Sequence, residues 1–383
     1  MGAASTPERV RQEILRLCHA GLDSWTLRVE VFERLQRVIP YAAYWCGATD
    51  PETLLFTGAV MRGIEPAAIP SYVSNELGGA DANTFTELAK RKSPVSTLYA
   101  ATRRDPRRSP RFREILEPSG QGDELRASLR DGKTIWGAVC LHRELRDPEF
   151  SPAEIAYIGQ IAPHLAAGMR VAALLGAADK DNVTLAPASE SPGLLTLADD
   201  LSLIAMTPAA EWWLAEIGDW PRGGELPQGV YNVATKLQVI ERQPESSPAM
   251  APRARVRTRG GQWLALHAAR LAGVASAGQI AVILEPARPE EVAALVLLAY
   301  ALTEREAQVA QLVLKGYSTE GIADALTISE LTVQQHLKAI FDKVGVRSRR
   351  DLVAQIYARH YWPRIAREIG LSPGAWSPED TDH

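Results

Sequence analysis

The strongest constraint on what this 383-residue chain can fold into is the punctuation of its C-terminal end. Thr303, Ser318, Ser329 and Ser348 each stand immediately before a short helical pattern, with Glu306 and Asp351 three residues beyond the first and the last. A hydroxyl at the N-cap accepts one of the free amides of the first turn, and an acid three residues on completes the box. Gly316 and Gly345 close the first and third patterns, and Pro363 closes the fourth. Glycine there permits the left-handed turn that ends a helix. Helices this short do not hold alone in water and must bury a shared face. Residues 302–362 therefore read as an all-α, four-helix bundle of helix-turn-helix type.

The third helix carries the chemistry. Val333, Leu337, Ile340, Phe341 and Val344 form one apolar stripe, which leaves Gln334, Gln335 and Lys338 on the opposite side. Glutamine can bridge N6 and N7 of adenine, and lysine reaches guanine or a phosphate. Ser329 and Thr332 bring hydroxyls and free amides to the first turn, where phosphates bind. Lys343, Arg347 and Arg349 add positive charge just past the helix. Spacing and charge alone admit two readings, a major-groove face and a solvated polar face.

These residues also carry a resemblance. LTxRE at 302–306, the stop at Gly316, IAxxLxISxxTV at 322–333, His336 and KVGVRSR at 343–349 resemble the LuxR-type (GerE-like) DNA-binding domain over its whole length. The resemblance implies a transcriptional regulator that binds double-stranded promoter DNA through the third helix. It also implies a homodimer formed through the fourth helix, at Val353, Ile356, Tyr357 and His360, and a packed role for His336. Gly321, Leu331 and Gln334 depart from the family, which usually carries Glu, a basic residue and Lys there. Fewer cations imply fewer phosphate contacts and a flatter salt dependence.

The rest of the chain breaks at two stretches, 176–191 (small, polar, proline-bearing) and EPARPEE at 285–291. The expected domains are 1–175, 192–287 and 302–362, joined by a linker at 176–191 and a linker helix at 288–301, with a flexible tail at 363–383. The first domain shows two opening helices, strand patterns at 41–48 and 53–61, and a helix-rich middle. Two further strands flank the turn Asp131-Gly132, with Leu125, Ala127 and Leu129 inward and Arg126, Ser128 and Arg130 outward, and a long helix follows from Ser151. RSPRFREIL, GDELRASLRDG and WGAVCLHRE within 108–144, followed by FSPAEIAYIGQIAPHLAAGMR, resemble the GAF-type sensor of LuxR-type regulators. The second domain, a hairpin, the helix PAAEWWL and three late strands, is similar to a PAS domain. The fold class is thus multidomain α+β: a GAF-like sandwich, a PAS-like domain and the all-α bundle.

Both resemblances imply a hollow between sheet and helices, suited to a small apolar or aromatic ligand. Trp45, Phe56, Tyr72, Phe85 and Trp136, with Leu125 and Cys140, are candidate walls, and each is equally an ordinary core residue. Trp212, Trp213, Trp263 and His267 hold the same position in the second domain. The basic cluster at 102–113 could contact DNA or an acidic ligand, but reads first as a solvated loop leading into a helix at 109–117. The helix at 290–301, apolar nearly all round, reads as the transmitter between sensing and binding.

Other classes find little support. Cys18, Cys46 and Cys140 are odd in number and lack CxxC spacing, which fits thiols in a reducing cytoplasm and no metal or cofactor. The longest apolar run, Val292–Leu302, is too short for a bilayer, and no secretory signal is expected. GxSxG, HExxH, Walker and GxGxxG patterns are absent, so an enzyme with a helical interaction tail is disfavoured. A response regulator would need an acidic cluster after an early strand, and Asp50 instead sits in a turn. An interaction protein without a small ligand stays open beside the one-component regulator.

Overall fold

The computed structural model describes residues 6–79, 81–175, 191–217, 226–242, 251–259, 262–273 and 278–360. They fall into two compact units, Met1–Ala287 and Arg288–His383. All but the last residue of the linker expected at 176–191, and the whole tail expected at 363–383, lie outside the described residues.

The first unit contains two antiparallel five-stranded sheets. Strands β1 (Ala43–Thr49), β2 (Phe56–Arg62), β3 (Val95–Thr97), β4 (Gln121–Asp131) and β5 (Thr134–Glu144) form the first, in the order β2-β1-β5-β4-β3. Helices α1 (Thr6–Cys18) and α2 (Ser24–Leu35) precede it. Three short helices, α3 (Ile69–Gly78), α4 (Phe85–Lys90) and α5 (Leu98–Ala101), interrupt it, and α6 (Pro152–Leu175) follows. The expected box at the start of α6 is formed, with Glu154 N–H donating to Ser151 Oγ and Ser151 N–H to Glu154 Oε2.

Register decides what each face meets. Leu125, Ala127 and Leu129 pair with Leu141, Val139 and Gly137, so all six share one face. That face lies under α6, where a Cβ on Gly137 would come within 2.6 Å of Met169 Cε. Glu124, Arg126 and Ser128 occupy the other face, and here the structure corrects the expected outward placement. Arg126 and Ser128 are buried, and Arg130 is half-buried, because the segment carrying α3 and α4 covers them. Arg126 lies 4.0 Å over the Phe85 ring, Ser128 Oγ donates to the Phe85 carbonyl at 2.6 Å, and Arg130 donates to the Ala89 carbonyl at 3.1 Å.

The second sheet is built from β6 (Gly193–Leu197), β7 (Leu203–Met206), β8 (Arg253–Arg257), β9 (Trp263–Arg270) and β10 (Ile280–Pro286), in the order β7-β6-β10-β9-β8. Helices α7 (Pro208–Glu216) and α8 (Gln228–Arg242) pack on it. One apolar core runs through both sheets' domains, joining Leu55, Ile69 and Val73 to Leu195, Val230, Leu266 and Val282. Two polar clamps reinforce that junction. Asp50 Oδ2 accepts from the backbone N–H and Nε of Arg255 at 2.9 and 2.8 Å, and its Oδ1 accepts from the same guanidinium at 2.7 Å. Gln228 and Asn232, one turn apart on α8, accept from Trp45 Nε1 at 3.2 Å and from Phe56 N–H at 3.3 Å.

The second unit is helical: α9 (Pro289–Ala299), α10 (Glu304–Leu314), α11 (Thr319–Leu326), α12 (Glu330–Val344) and α13 (Arg349–His360). Each expected serine or threonine caps its helix by accepting the N–H three residues on. In α9, Val292, Leu295, Val296, Leu297 and Ala299 are buried, as its apolar circumference requires. No helix among the described residues is long and apolar enough to cross a membrane.

Candidate nucleic-acid interface and buried cavity

The α11–α12 pair is set by its turn. Thr327 adopts the left-handed conformation (φ 54°) that ends α11, and two residues later Ser329 caps α12. Ser329 Oγ accepts the Thr332 N–H at 3.1 Å and lies 2.8 Å from the Thr332 hydroxyl. Val333, Leu337, Ile340 and Val344 are buried, and Phe341 is half-buried. Gln334, Gln335 and Lys338 are exposed, and Leu331 stands 70% exposed in the first turn. A row of amide and ammonium groups on a helix backed by apolar packing is what a duplex groove can accept.

The cations expected beyond the helix differ in their surroundings. Arg347 is exposed. Arg349 is half-buried and donates to the Tyr317 carbonyl. Lys343 Nζ is 2.6 Å from Glu306 Oε2, the acid of the α10 capping box. Burial pushes the Glu306 carboxyl up, but Lys343 and the Thr303 N–H outweigh it and hold the group below the usual range. Lys343 therefore ties α12 to α10. At the expected dimer surface the structure makes one correction. Ile356 is 1% exposed, because α13 spends it, with Leu352, on the bundle's own core. Val353 is half-buried, and the side chains of Tyr357 and His360 lie outside the described ones.

The first unit contains a partly open cavity of about 40 Å³ under the β4–β5 face. Four of the expected wall residues meet there, Trp45, Phe56, Tyr72 and Phe85, with Cys140 beside them. Trp45, Phe56 and Phe85 interlock with ring centroids 4.7–5.7 Å apart. Trp136 and Leu125 do not line it; Trp136 is buried elsewhere, and Leu125 faces α6. Of the second-domain candidates, Trp213 is core and donates to the Ser191 carbonyl, and Trp212 packs on it at 4.5 Å. Trp263 lies under the Arg257 guanidinium, and His267 is 3.6 Å from Glu285.

Apart from Cys140, the residues of the cavity's polar end were not expected from the sequence. Arg111, expected in a solvated loop, is fully buried, a correction forced by the acids that fold over it. Its guanidinium reaches Glu124 Oε2 at 2.7 Å, and its backbone N–H donates to Asp81 at 2.7 Å. Arg126 pairs with Glu76 at 2.9 Å and lies 3.4 Å from Glu124. Burial pushes Glu124 up, but the two guanidinium groups prevail and hold it at about 2. Burial holds the His142 imidazole down at about 4 and pushes the Cys140 thiol well up. Asp123, buried nearby and accepting three backbone N–H bonds, is pushed up to about 6 by burial.

Glu124, Cys140 and His142 place one ligand atom each within 4.8 Å of one another. The donor set opposes a cation all the same. Glu124 already serves Arg111, Arg126 and the Cys140 thiol, which donates to it at 2.9 Å, so an entering cation would stand against two guanidinium groups. One signal for this end lies in β5, where His142 closes the apolar run 135–141; β4 mixes polar and apolar residues along its whole length. Nothing in sequence spacing couples either strand to Glu76, Asp81 or Arg111.

Comparison with known families places both regions. The family model for the GAF domain matches residues 26–169, and that for bacterial regulatory proteins of the luxR family matches residues 300–356. Several solved structures show slight similarity. The GAF domain/HD domain protein from Geobacter sulfurreducens is 16% identical over 43% of this chain and 93% of its own, with a TM-score of 0.26. The phage VqmA–DPO complex gives 17% identity over 48% and 90%, with a TM-score of 0.18. The E. coli DhaR(N)–DhaL complex gives 11% over 75% and 92%, with a TM-score of 0.23. The chain thus holds a GAF domain and a luxR-family DNA-binding domain, the combination of a transcriptional regulator with a sensory domain.

Proposed function

We propose that this DNA-binding regulator works as a one-component switch, sensing through its first unit and binding promoter DNA as a homodimer. The reading rests on α12, which buries Val333, Leu337, Ile340 and Val344 while exposing Gln334, Gln335 and Lys338. The two glutamines read base edges in the major groove. Lys338 reaches a guanine or a phosphate, and Ser329 and Thr332 present the first turn to the backbone. Arg347 and Arg349 supply the phosphate contacts beyond the helix, with Lys343 contributing charge from its bridge to Glu306. Val353, Tyr357 and His360 of α13 remain the residues through which two copies pair.

The second sheet's order, β7-β6-β10-β9-β8 with α7 and α8 inserted after its first two strands, supports reading it as PAS-like. The cavity walled by Trp45, Phe56, Tyr72 and Phe85 is the sensing site. Helix α9 carries the signal, and the three cysteines, all buried, suit a cytoplasmic protein. The test is selection of genomic fragments with the full-length protein, followed by gel shift. A specific operator should emerge, and Gln335→Ala and Lys338→Ala should weaken its binding. Uniform, sequence-independent retention, or none at all, would refute the reading.

A further inference from the structure

His142 is the least explained polar group in the first unit. It is 1% exposed, it borders the cavity, and neither ring nitrogen meets a hydrogen-bond partner in the protein. Arg126 Nε, at the same end, has only its 3.4 Å ion pair with Glu124 Oε1 and no hydrogen bond. Buried polar atoms in native folds are nearly always partnered, so an imidazole with both nitrogens unmet beside a cavity points to something that enters it.

We propose that the cavity binds a small neutral molecule with a flat apolar body and one hydrogen-bonding group, which meets His142, and that Gln228 of α8 is the wall the ligand displaces. This rests on the sensory reading of the first unit given above.

The charge pattern selects neutrality. Glu76 is held by Arg126, Glu124 by Arg111 and Arg126, and Asp81 by Arg111 at 3.7 Å. An anion would have to pull a guanidinium from one of these acids. A cation would contend with Arg126, which already covers the Phe85 ring at 4.0 Å. The imidazole, kept neutral by burial, can donate from one nitrogen and accept at the other. Trp45, Phe56 and Phe85 offer ring faces and edges to a flat body.

Size selects the moving wall. The cavity's 40 Å³ has room for a few waters at about 10–15 Å³ each, whereas an apolar cavity that takes benzene measures roughly 150 Å³. A ring therefore enters only if a side chain gives way. The three aromatic walls interlock, but Gln228 is the one lining residue from the second sheet's side, and it is joined to Trp45 by a single 3.2 Å bond. Asn232 Nδ2 donates to the Gln228 carbonyl at 2.9 Å, while its Oδ1 accepts the Phe56 N–H. Displacing Gln228 is thus felt at the first turn of α8 and at the junction of the two sheets.

The experiment is calorimetric titration of the full-length protein with phenol, benzoate and benzylamine: one ring as neutral, anionic and cationic species. Phenol should bind at least tenfold more tightly than the two charged probes. His142→Phe should lose phenol binding at least tenfold, and Gln228→Ala, by opening the wall, should gain severalfold. Melting curves report whether His142→Phe folds; if it does not, Gln228→Ala decides alone. Equal affinity for all three probes, phenol affinity unmoved by Gln228→Ala, or no phenol binding to the wild type and Gln228→Ala, each overturns the proposal. Operator binding in the same preparations, measured without phenol, tells its failure apart from failure of the regulator reading.

Discussion

Cutting the Asp50–Arg255 clamp tests most directly whether the two sheets act as one cooperative body. Both side chains are nearly inaccessible, at 1% and 4%. Arg255→Met keeps length and apolar volume but removes the fork that grips both carboxylate oxygens. Removing one partner of a buried pair costs about 3–5 kcal/mol, chiefly through the charge left behind. Asp50 would still accept the N–H of residue 255 at 2.9 Å and of Glu52 at 2.9 Å, which argues for the low end. In a body of this size about 3 kcal/mol lowers the melting temperature by roughly 6–12 °C. Scanning calorimetry of the full chain should show that loss in the first unit's transition and leave the second unit's in place. Asp50→Asn should cost a comparable amount. The double variant should lose less than the sum, with a coupling of about 1.5 kcal/mol or more. Breaking the exposed Arg107–Glu117 pair with Arg107→Ala should cost under about 1 kcal/mol. Strict additivity in the Asp50–Arg255 cycle, or a loss no larger than at Arg107, would refute the claim that this pair locks the sheets.

Three other outcomes follow from the same structure. The His142 imidazole binds its proton at 6.5 when unfolded but only at about 4 when folded, so the stability it contributes, about 3 kcal/mol, is lost as the pH falls through that window. Glu124 loses its share only between 4.5 and about 2, and Asp123, pushed up to about 6, works in the opposite sense between 3.8 and 6. The melting-temperature gap between wild type and His142→Phe should therefore narrow from pH 7 to pH 4.5, and a constant gap counts against the burial argument. Gly137→Ala would set a Cβ 2.4 Å from the Gly47 carbonyl oxygen, a backbone atom that cannot swing aside. It should lower stability by about 1–3 kcal/mol in urea titration, and a neutral result would contradict the register of β1 on β5. On the selected operator, Lys338→Ala should weaken all sequences alike and reduce the salt slope by about one, while Gln335→Ala should relax one base position by about 1–3 kcal/mol. The reverse pattern would exchange their roles.

Reading the chain in one dimension recovered what depends on neighbours a few residues apart. The caps at Thr303, Ser318, Ser329 and Ser348 and the turn at Asp131-Gly132 stand where the sequence put them. The failures share a cause. Arg126 and Ser128 look like an outer strand face, and Arg111 like part of a basic surface loop, until α3 and α4 fold over them. Ile356 looks like an offered surface until the bundle closes on it.

The sequence alone determined the helix starts, the strand alternation and the amide-and-lysine face of α12, because caps and periodicity act within a turn or a strand. Tertiary structure alone decided that Asp50 meets Arg255, that Gln228 reaches Trp45, and that Arg111, Arg126, Glu76 and Glu124 neutralise one another beneath a shared cavity. Glu124 and Arg126 are two residues apart, but the other partners lie 13 to 205 positions apart along the chain. No local pattern encodes such a pairing, because burial alone makes an unpaired charge costly enough to select its partner.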